Sequence, residues 1–451
     1  MKLAVWTQEH RIGDLSYDGA TGRFAFEYAP AWLEWDQRFA LCPSLPLTQT
    51  PQETPEQHSA AVRQFFQNLL PEGQALDDAA RVSNVSKANV LGLLHALGRE
   101  TAGALVISLP DERPDRIEVS PRLLSDAELS ERIRHRPSEP FTVWDGKVRL
   151  SIAGYQDKLA VYEHEGQWFL VEDPTLASTL ILKPEPVRQQ MAGMTTNELM
   201  CLRLAHALKL PAAKASLRHV PEPVLVIERF DRKLKEGRAG RMEVQRLHCI
   251  DGCQALGLPV DFKYERPYGD GEHVKNIRDG ASLRRFFSLL SDKTKIPAPG
   301  VAQLEFLRWV IFQVLIGNTD AHAKNLSFFS SVRGLQLAPT YDLVSGLVFA
   351  GDGVLDSLAM AIGDNFDPVA ISAYDWAQLA HENNLHPRLV AGEVKRLAQA
   401  CKQALPTLMS ELAEEGAEAS MMTRVAAVIE RQCEEALRVA PHITKIDAVL
   451  F

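Results

Sequence analysis

Apolar residues in the first 140 positions follow strand spacing in some segments and helix spacing in others. Residues 3–6 form a short apolar run, and residues 24–28 are a short segment rich in aromatic side chains after glycine-bearing turns, so both predict strands. Over residues 56–70, apolar side chains recur at helical spacing and predict an amphipathic helix that faces a core. Residues 103–108 have the composition of a buried strand. We therefore expect residues 1–140 to form an N-terminal α+β subdomain.

From residue 141 the apolar pattern changes to short strands separated by turns. Residues 159–162 and 168–171 flank a turn at Glu165 and Gly166 and predict a hairpin. Residues 179–183 predict another strand, which ends at a proline that cannot donate to a ladder. We expect residues 141–245 to form a β-rich lobe.

Helical spacing dominates the rest of the chain. Thr196 and Asn197 are residue types that cap helices, and they precede a helix predicted over residues 198–208. After about residue 246 nearly every segment has helical spacing, apart from a hairpin expected over residues 326–338. The expected fold class is therefore α+β, with residues 246–451 forming a helical lobe.

Composition places the chain among ordinary globular proteins. The residues are 46% apolar and 24% charged, which is typical of globular proteins. A length of 451 residues is enough for more than one hydrophobic core. No apolar run approaches the roughly 20 residues of a membrane helix, and no signal-peptide pattern precedes the first strand, so we expect a cytoplasmic protein. The net charge of -9 argues against binding of nucleic acid through a general basic surface.

The six cysteines are scattered through apolar segments, which indicates buried thiols rather than a disulfide framework. His248, Cys249 and Cys253 lie close together in the sequence, so a metal site is one interpretation. No second ligand pair follows at zinc spacing, and a place in the core is the favoured interpretation.

The densest group of chemically capable side chains follows a helix predicted over residues 306–317. Asp320 comes first, Asn325 lies five residues later, and Asp342 follows one predicted hairpin. This is the order of a kinase catalytic centre, in which the first Asp meets the acceptor hydroxyl and the other two residues bind magnesium. Asp and Asn after a helix are also common caps and turn formers, so the loop alone leaves both interpretations open.

Upstream segments supply the other parts of a kinase in the expected order. Residues 151–158 lie between two strands and contain small residues, through which main-chain N–H groups can approach phosphate. Lys183 ends a strand, Glu198 begins a predicted helix, and residues 228–230 lie where a segment joining two lobes is expected. The first three features also have ordinary explanations: residues 151–158 as a hairpin turn, Lys183 as a solvated lysine, and Glu198 as a glutamate that interacts with the helix dipole. Their common order favours the two-lobe plan of protein kinases.

The set of motifs resembles the HipA-type kinases of bacterial toxin–antitoxin systems. The resemblance covers nearly the whole chain, and its most specific part is the Thr-Asp-x-His-Ala-Lys-Asn stretch from Thr319 to Asn325. The matching segments are residues 11–15, 28–30, 32–33, 68–71, 151–158, 181–183, 197–198, 228–232, 253–254, 316–325 and 341–342.

The resemblance implies a protein-kinase-like fold and a serine/threonine protein kinase that uses ATP and magnesium. Asp320 is then the catalytic base, and Asn325 and Asp342 are the magnesium ligands. Glu198 is the helix glutamate that pairs with the phosphate-binding lysine. The implied ATP-binding residues are Ala153, Gly154, Tyr155, Gln156, Asp157, Lys158, Lys183, Glu228, Arg229, Phe230, His322, Ala323, Lys324, Asn325, Tyr341 and Asp342.

The resemblance also implies how the enzyme is controlled. In this family the serine at the position of Ser151 is autophosphorylated, which moves its loop out of the ATP site, and the added charge of about -2 would repel ATP. Family substrates include aminoacyl-tRNA synthetases, whose modification stalls translation and arrests growth. The usual partner is a helix-turn-helix antitoxin that binds operator DNA, and the acidic net charge fits a toxin that meets DNA mainly through it. Tyr155 departs from the family, which often has a small residue there.

Two other interpretations stay open at this point. A similar loop pattern occurs in lipid kinases, so a kinase of a small molecule or lipid head group is the first alternative. The second is a catalytically silent, ATP-binding component of a repressor complex, although Lys183, Asp320, Asn325 and Asp342 are all present. Residues 258–274 are rich in Gly, Pro, Tyr and charge, and we expect a mobile loop there that takes part in substrate recognition.

Overall fold

Strands and helices follow one another in runs along the protein, which is the α+β pattern that the sequence predicts. A computed structural model describes residues 1–7, 10–48, 53–114, 121–149, 156–171, 176–236, 242–351 and 356–451. Five sheets and twelve α-helices lie within these ranges, so the predicted α+β class is confirmed.

The first 108 residues form an antiparallel sheet covered by helices. Its strand order is β3-β2-β1-β4, and α2 begins where Thr54 and Gln57 form a capping box. The predicted apolar stripe of α2 is buried, with Phe65 and Phe66 almost fully enclosed. The elements are β1 (Lys2–Thr7), β2 (His10–Asp18), β3 (Arg23–Tyr28), α1 (Pro30–Glu34), α2 (Pro55–Gln67), α3 (Gly73–Val82), α4 (Val90–Leu97) and β4 (Leu105–Ser108).

A six-stranded sheet dominates the next part of the chain. Its strand order is β11-β12-β10-β8-β9-β5, and Leu159, Leu182 and Val224 lie in its core. The predicted turn at Glu165 and Gly166 has positive φ at both residues, as a two-residue hairpin requires. The elements are β5 (Arg122–Leu124), α5 (Asp126–His135), β6 (Val143–Trp144), β7 (Lys147–Val148), β8 (Leu159–His164), β9 (Gln167–Leu170), β10 (Leu180–Pro184), α6 (Met194–Ala207), β11 (Ala215–His219), β12 (Pro223–Glu228), β13 (Arg232–Glu236), β14 (Met242–Arg246), β15 (Cys249–Asp251) and α7 (Gly252–Leu256).

Helices make up most of the remaining chain. The predicted hairpin is present as strands β16 and β17. They join β15 in a three-stranded sheet with the order β15-β16-β17. The elements are α8 (Leu283–Ser291), α9 (Pro299–Ile316), β16 (Ser327–Ser331), β17 (Gly334–Leu337), α10 (Ala373–Glu382), α11 (Pro387–Glu414) and α12 (Ala419–Ile443).

Helix α9 is the one helix of the described residues that is long and apolar enough to cross a membrane. Within the protein, 61% of its apolar window is buried, and it packs against α8, α11 and α12. A helix that is apolar on all sides and enclosed by other helices is typical of a protein core.

The described chain divides into two compact units that interleave along the sequence. The first comprises Met1–Val187, Arg218–Val260 and Phe328–Leu335, and the second comprises the rest. The first unit contains most of the strands and the second most of the long helices, as expected for a β-rich and a helical lobe. The domain bounds predicted at residues 140 and 245 stay a prediction.

The predicted cap of α6 is wrong. The helix begins at Met194, so Thr196 and Asn197 lie inside its first turns rather than before them. Thr196 Oγ1 accepts a hydrogen bond of 3.0 Å from the main-chain nitrogen of Glu418. The polar side chains that suggested a cap therefore bond distant main chain, which the local sequence does not indicate.

All six cysteines are buried free thiols, as predicted. His248 Nε2 lies 2.9 Å from the main-chain oxygen of Leu41, and its ring stacks on Phe39. Cys249 and Cys253 are buried beside it, so this cluster belongs to the core.

Candidate active site

The loop after α9 carries the predicted catalytic residue. The helix ends at Gly317, whose left-handed φ of +65° suits glycine. Next, the Asn318 side chain donates to Gln313 Oε1 at 2.8 Å and accepts from the main-chain nitrogen of Asp320 at 3.0 Å. These bonds fix the main chain at Asp320, whose side chain is 54% exposed and so accessible to a substrate.

Asn325 closes the same loop onto Asp320. Its Nδ2 donates to the main-chain oxygen of Asp320 at 2.9 Å, and the main-chain nitrogen of His322 donates to that oxygen at 2.8 Å. The structure thus brings Asp320 and Asn325 together. Because the bond engages the amide nitrogen of Asn325, its amide oxygen is the atom suited to a hard cation.

His322 is held neutral inside the loop. Burial, together with the charge of Lys263, lowers the pKa of His322 to about 3, although Asp342 acts in the opposite direction. Its Nε2 lies 4.0 Å from Asp320 Oδ1, and since the ring is uncharged near neutral pH this approach is no ion pair. Its Nδ1 is buried without a hydrogen-bond partner among the described residues.

The segment with the second Asp is tied to the catalytic loop. The Tyr341 hydroxyl donates to the main-chain oxygen of Lys324 at 2.6 Å and accepts from Ser327 Oγ at 2.7 Å. Asp342 follows with a φ of +53°, which is uncommon for a residue with a side chain. Such a conformation persists only where the surroundings hold it, as they often do at functional sites.

Helix α6 holds the other end of that segment. Asn197 Oδ1 accepts from the main-chain nitrogen of Ser345 at 2.8 Å, and Asn197 Nδ2 donates to the main-chain oxygen of Ser345 at 3.1 Å. Glu198, the predicted helix glutamate, is the next residue of α6 and is fully buried.

Two lysines are adjacent on neighbouring strands of the six-stranded sheet. Leu159 pairs with Leu182 in the β8–β10 ladder, and Lys158 and Lys183 lie one residue beyond this pair. Residues opposite each other in a ladder project to the same face. Both lysines are buried, and ammonium groups on one face of a sheet would suit phosphate oxygens.

Only part of the predicted phosphate loop lies within the described residues. Gln156 Nε2 is buried without a hydrogen-bond partner among the described residues. Asp157 Oδ2 lies 3.4 Å from Arg136 Nη1. Burial raises the pKa of Asp157 above its ordinary value despite that arginine. The remaining predicted residues, Ser151, Ala153, Gly154 and Tyr155, lie outside the described residues.

The three predicted ATP-binding residues at positions 228–230 differ in their surroundings. Glu228 is exposed at the end of β12, and the half-buried ring of Phe230 packs edge-on against Phe329 at 5.9 Å. Arg229 is enclosed, with its guanidinium bonded to Glu100 and Asp231. The ATP-binding role of Arg229 stays a prediction, but its side chain stabilises the fold through these two bonds.

A buried ionic cluster surrounds Arg229, and the sequence does not indicate it. Burial alone would raise the pKa of Glu100, but Arg246, Arg232 and Arg229 lower it to about 2. Asp231 accepts bonds from Arg229 and Arg232 and from the main-chain nitrogen of Gly103 at 2.7 Å. Its pKa is well below the ordinary value, because the arginines outweigh burial. The cluster joins residues 99–103 to residues 229–246.

The donors at the predicted site fit magnesium and a nucleotide. Asn325 and Asp342 supply hard oxygen ligands, and magnesium in kinases takes its other ligands from phosphate and water. Within the described ranges no group of three or more His, Cys, Asp or Glu is arranged to hold a metal ion.

A β-rich unit with paired strand lysines and a helical unit with an Asp–Asn loop define a kinase-like protein. The sequence matches the HipA N-terminal domain over residues 3–108 and the HipA-like C-terminal domain over residues 150–405. The chain belongs to the HipA family, as its motifs predicted, and the predicted class of enzyme, a kinase, is confirmed.

Similar proteins agree over the full length of the chain. The serine/threonine-protein kinase toxin HipA of Shewanella oneidensis is 35% identical over 97% of this chain and 96% of that protein. A protein of Sinorhizobium fredii that is named as a kinase is 31% identical over 91% of this chain and 93% of its own length. The solved complex of HipA, HipB and operator DNA from Shewanella oneidensis matches with a TM-score of 0.86 at 34% identity, covering 99% of this chain and 100% of that chain.

Proposed function

We propose that this protein is a serine/threonine protein kinase toxin that uses Mg-ATP and acts in the cytoplasm. The observation that carries the proposal is the closed loop in which the Asn325 amide bonds the main chain of Asp320. This bond supports the proposal because it connects Asn325, whose amide oxygen can bind magnesium, to the residue whose carboxylate can accept a proton.

Each residue of the site has a distinct task in this proposal. Asp320 accepts the proton of the acceptor hydroxyl, and neutral His322 adds no positive charge that would compete for that carboxylate. Asn325 and Asp342 bind the metal, and Lys183 with Lys158 holds the phosphates. When bound, Mg-ATP supplies the phosphoryl group and the charge neutralisation that its transfer requires.

The remaining ATP-binding residues have secondary tasks. Glu228 and Phe230 contact adenine, and the loop with Gln156 and Asp157 covers the phosphates. Autophosphorylation of Ser151 inactivates the enzyme, because the added negative charge repels the nucleotide.

We further propose the partners of the protein. A helix-turn-helix antitoxin holds it inactive and connects it to operator DNA, which is supported by the similar Shewanella oneidensis protein in a complex with HipB and DNA. The substrate is a translation component of the aminoacyl-tRNA synthetase class, and its phosphorylation arrests growth and produces antibiotic tolerance.

Intact-mass spectrometry after incubation with Mg-ATP tests the proposed chemistry. Wild type should gain one phosphate at Ser151, while Asp320→Ala should gain none because it lacks the proton acceptor. Asp77→Ala, which removes an exposed carboxylate paired with Lys87, is the matched control and should behave as wild type. No added mass in wild type that binds ATP would contradict the proposal and favour a small-molecule kinase or a silent repressor component.

A further inference from the structure

A tyrosine outside the predicted motifs contacts the proposed catalytic base. The Tyr264 hydroxyl donates a hydrogen bond of 2.5 Å to Oδ1 of Asp320. Its ring packs edge-on against His322, with centroids 5.0 Å apart and planes at 87°. Lys263 Nζ lies 5.5 Å from the centre of the same ring, within the range of a cation–π contact. Tyr264 therefore touches two side chains of the catalytic loop.

The main chain on both sides of Tyr264 is fixed. The main-chain oxygen of Lys263 accepts from the nitrogen of Ala323 at 3.0 Å, which ties this segment to the catalytic loop itself. The main-chain nitrogen of Glu265 donates to the oxygen of Ala359 at 2.9 Å. Because the residues before and after Tyr264 are both bonded, its hydroxyl is presented to Asp320 from a fixed base.

A second layer of contacts supports the same segment. Gly280 crosses the Tyr264 main chain so closely that a Cβ at Gly280 would collide with the Tyr264 carbonyl oxygen. The buried Glu265 carboxylate accepts from Arg278 Nε at 2.7 Å and from the main-chain nitrogen of Ala361 at 2.8 Å. These contacts leave the Tyr264 segment little room to move.

We propose that Tyr264 is a positioning residue that orients Asp320 for proton transfer. A carboxylate that is 54% exposed turns about two side-chain torsions unless a contact holds it. The phenol bonds Oδ1 and so restricts the orientation of the carboxylate. Correct alignment of a reacting group accelerates transfer because the orientation is fixed before the reaction. This inference rests on the proposed kinase function.

The same contact has one competing explanation with the opposite consequence. A phenol O–H donates to the base as an acceptor hydroxyl would, so Tyr264 would be an internal competitor if it had to leave. Its fixed main chain and its packing against His322 favour a permanent contact instead. Removing the hydroxyl should slow the reaction if Tyr264 positions Asp320, and speed it if Tyr264 competes.

The test compares Tyr264→Phe with wild type in phosphate transfer from Mg-ATP to the protein itself and to a mixed serine/threonine peptide library. We expect the maximal rate to fall about 10- to 100-fold, as for other small losses of alignment. The half-saturating ATP concentration and the directly measured dissociation constant of a fluorescent ATP analogue should change less than about twofold. Tyr17→Phe is the control, because Tyr17 is 38% exposed in β2 and belongs to no predicted site.

Gly280→Ala provides a second, independent perturbation. Its Cβ should displace the Tyr264 main chain and slow the reaction in the wild-type background. Because both changes act through one hydroxyl, the added effect of Gly280→Ala should be smaller in a Tyr264→Phe background.

The outcomes separate this inference from the proposed function. An unchanged or faster maximal rate in Tyr264→Phe, in a wild type that transfers phosphate, would overturn the positioning role alone. Loss of ATP binding in Tyr264→Phe would also overturn it, since that indicates a general structural role. A wild type that binds ATP but transfers phosphate to no acceptor would overturn the proposed kinase activity, and the role of Tyr264 with it.

Discussion

The buried carboxylate of Asp231 forms hydrogen bonds with several separate segments of the chain. It accepts hydrogen bonds from Arg229, Arg232 and the main chain of Gly103, while Glu100 is the other carboxylate of the cluster. A buried charge is tolerated only when partners replace the water that it loses. Two carboxylates compensate the positive charge of three arginines here, so the loss of either carboxylate would leave buried positive charge uncompensated.

Asp231→Asn should strongly destabilise the protein. Removing one partner of a buried ionic group costs roughly 3–5 kcal/mol of unfolding free energy. Urea denaturation followed by tryptophan fluorescence would measure this change. The matched control is Asp126→Asn, which breaks an exposed pair with Arg218 and should cost at most about 1 kcal/mol. Equal losses in the two variants would contradict the importance assigned to burial.

Individual residues divide into those that the sequence could identify and those that it could not. Asp320, Asn325 and Lys183 belong to patterns whose order and spacing are typical of kinases, so the sequence alone predicts them as site residues. The contact between Tyr264 and Asp320 spans 56 residues, and no local pattern indicates it. The bond between Arg229 and Glu100 spans 129 residues and depends on the packing of distant segments.

Secondary-structure elements were predictable where a residue type dictates the backbone. Gly317 ends α9 in the left-handed conformation that glycine adopts easily, and Glu165 with Gly166 forms the expected tight turn. The start of α6 was not predictable. Asn197 and Thr196 have the chemistry of caps, but tertiary partners take their side chains.

Asn197→Ala should weaken the connection between α6 and the segment that follows Asp342. The two bonds to Ser345 would be lost, leaving its buried N–H unsatisfied and its C=O with only a 3.4 Å bond from the main-chain nitrogen of Val348. Each unsatisfied group costs about 1–3 kcal/mol, so we expect a loss of about 2–4 kcal/mol in urea denaturation. Thr423→Ala, which removes an exposed hydroxyl bond within α12, should change stability by less than about 0.5 kcal/mol. A similarly small loss in Asn197→Ala would show that the connection is unimportant.

The stability of the whole molecule should depend on pH through its buried histidines. Burial lowers the pKa of His248 to about 4 and that of His322 to about 3, whereas an unfolded histidine titrates near 6.5. The unfolded chain therefore binds more protons as the pH falls below about 6.5, and stability decreases. The protein loses further stability as the pH falls below about 4.5, where an unfolded glutamate binds a proton. Folded Glu100 does not yet bind one, because its pKa is lowered to about 2.

His248→Gln tests this dependence. Between pH 6.5 and pH 4 each buried neutral histidine contributes about 1.4 kcal/mol of stability loss per pH unit, so the variant should lose less on acidification. Unfolding free energies measured in urea at several pH values would give the slopes. His442→Gln, at an exposed histidine of α12, should keep the wild-type slope. The same slope in all three proteins would rule out a buried neutral His248.

The order in which the chain is synthesised has a consequence for its two interleaved units. The chain passes from one unit to the other after residues 187, 217, 260, 327 and 335. The ribosome releases the N-terminus first, so the strand-rich unit lacks its final segment until residue 335 has emerged. The helical unit lacks α12, which packs on α6, α9 and α11, until residues 419–443 have been made. Both units can therefore complete their packing only after residue 335 has emerged from the ribosome.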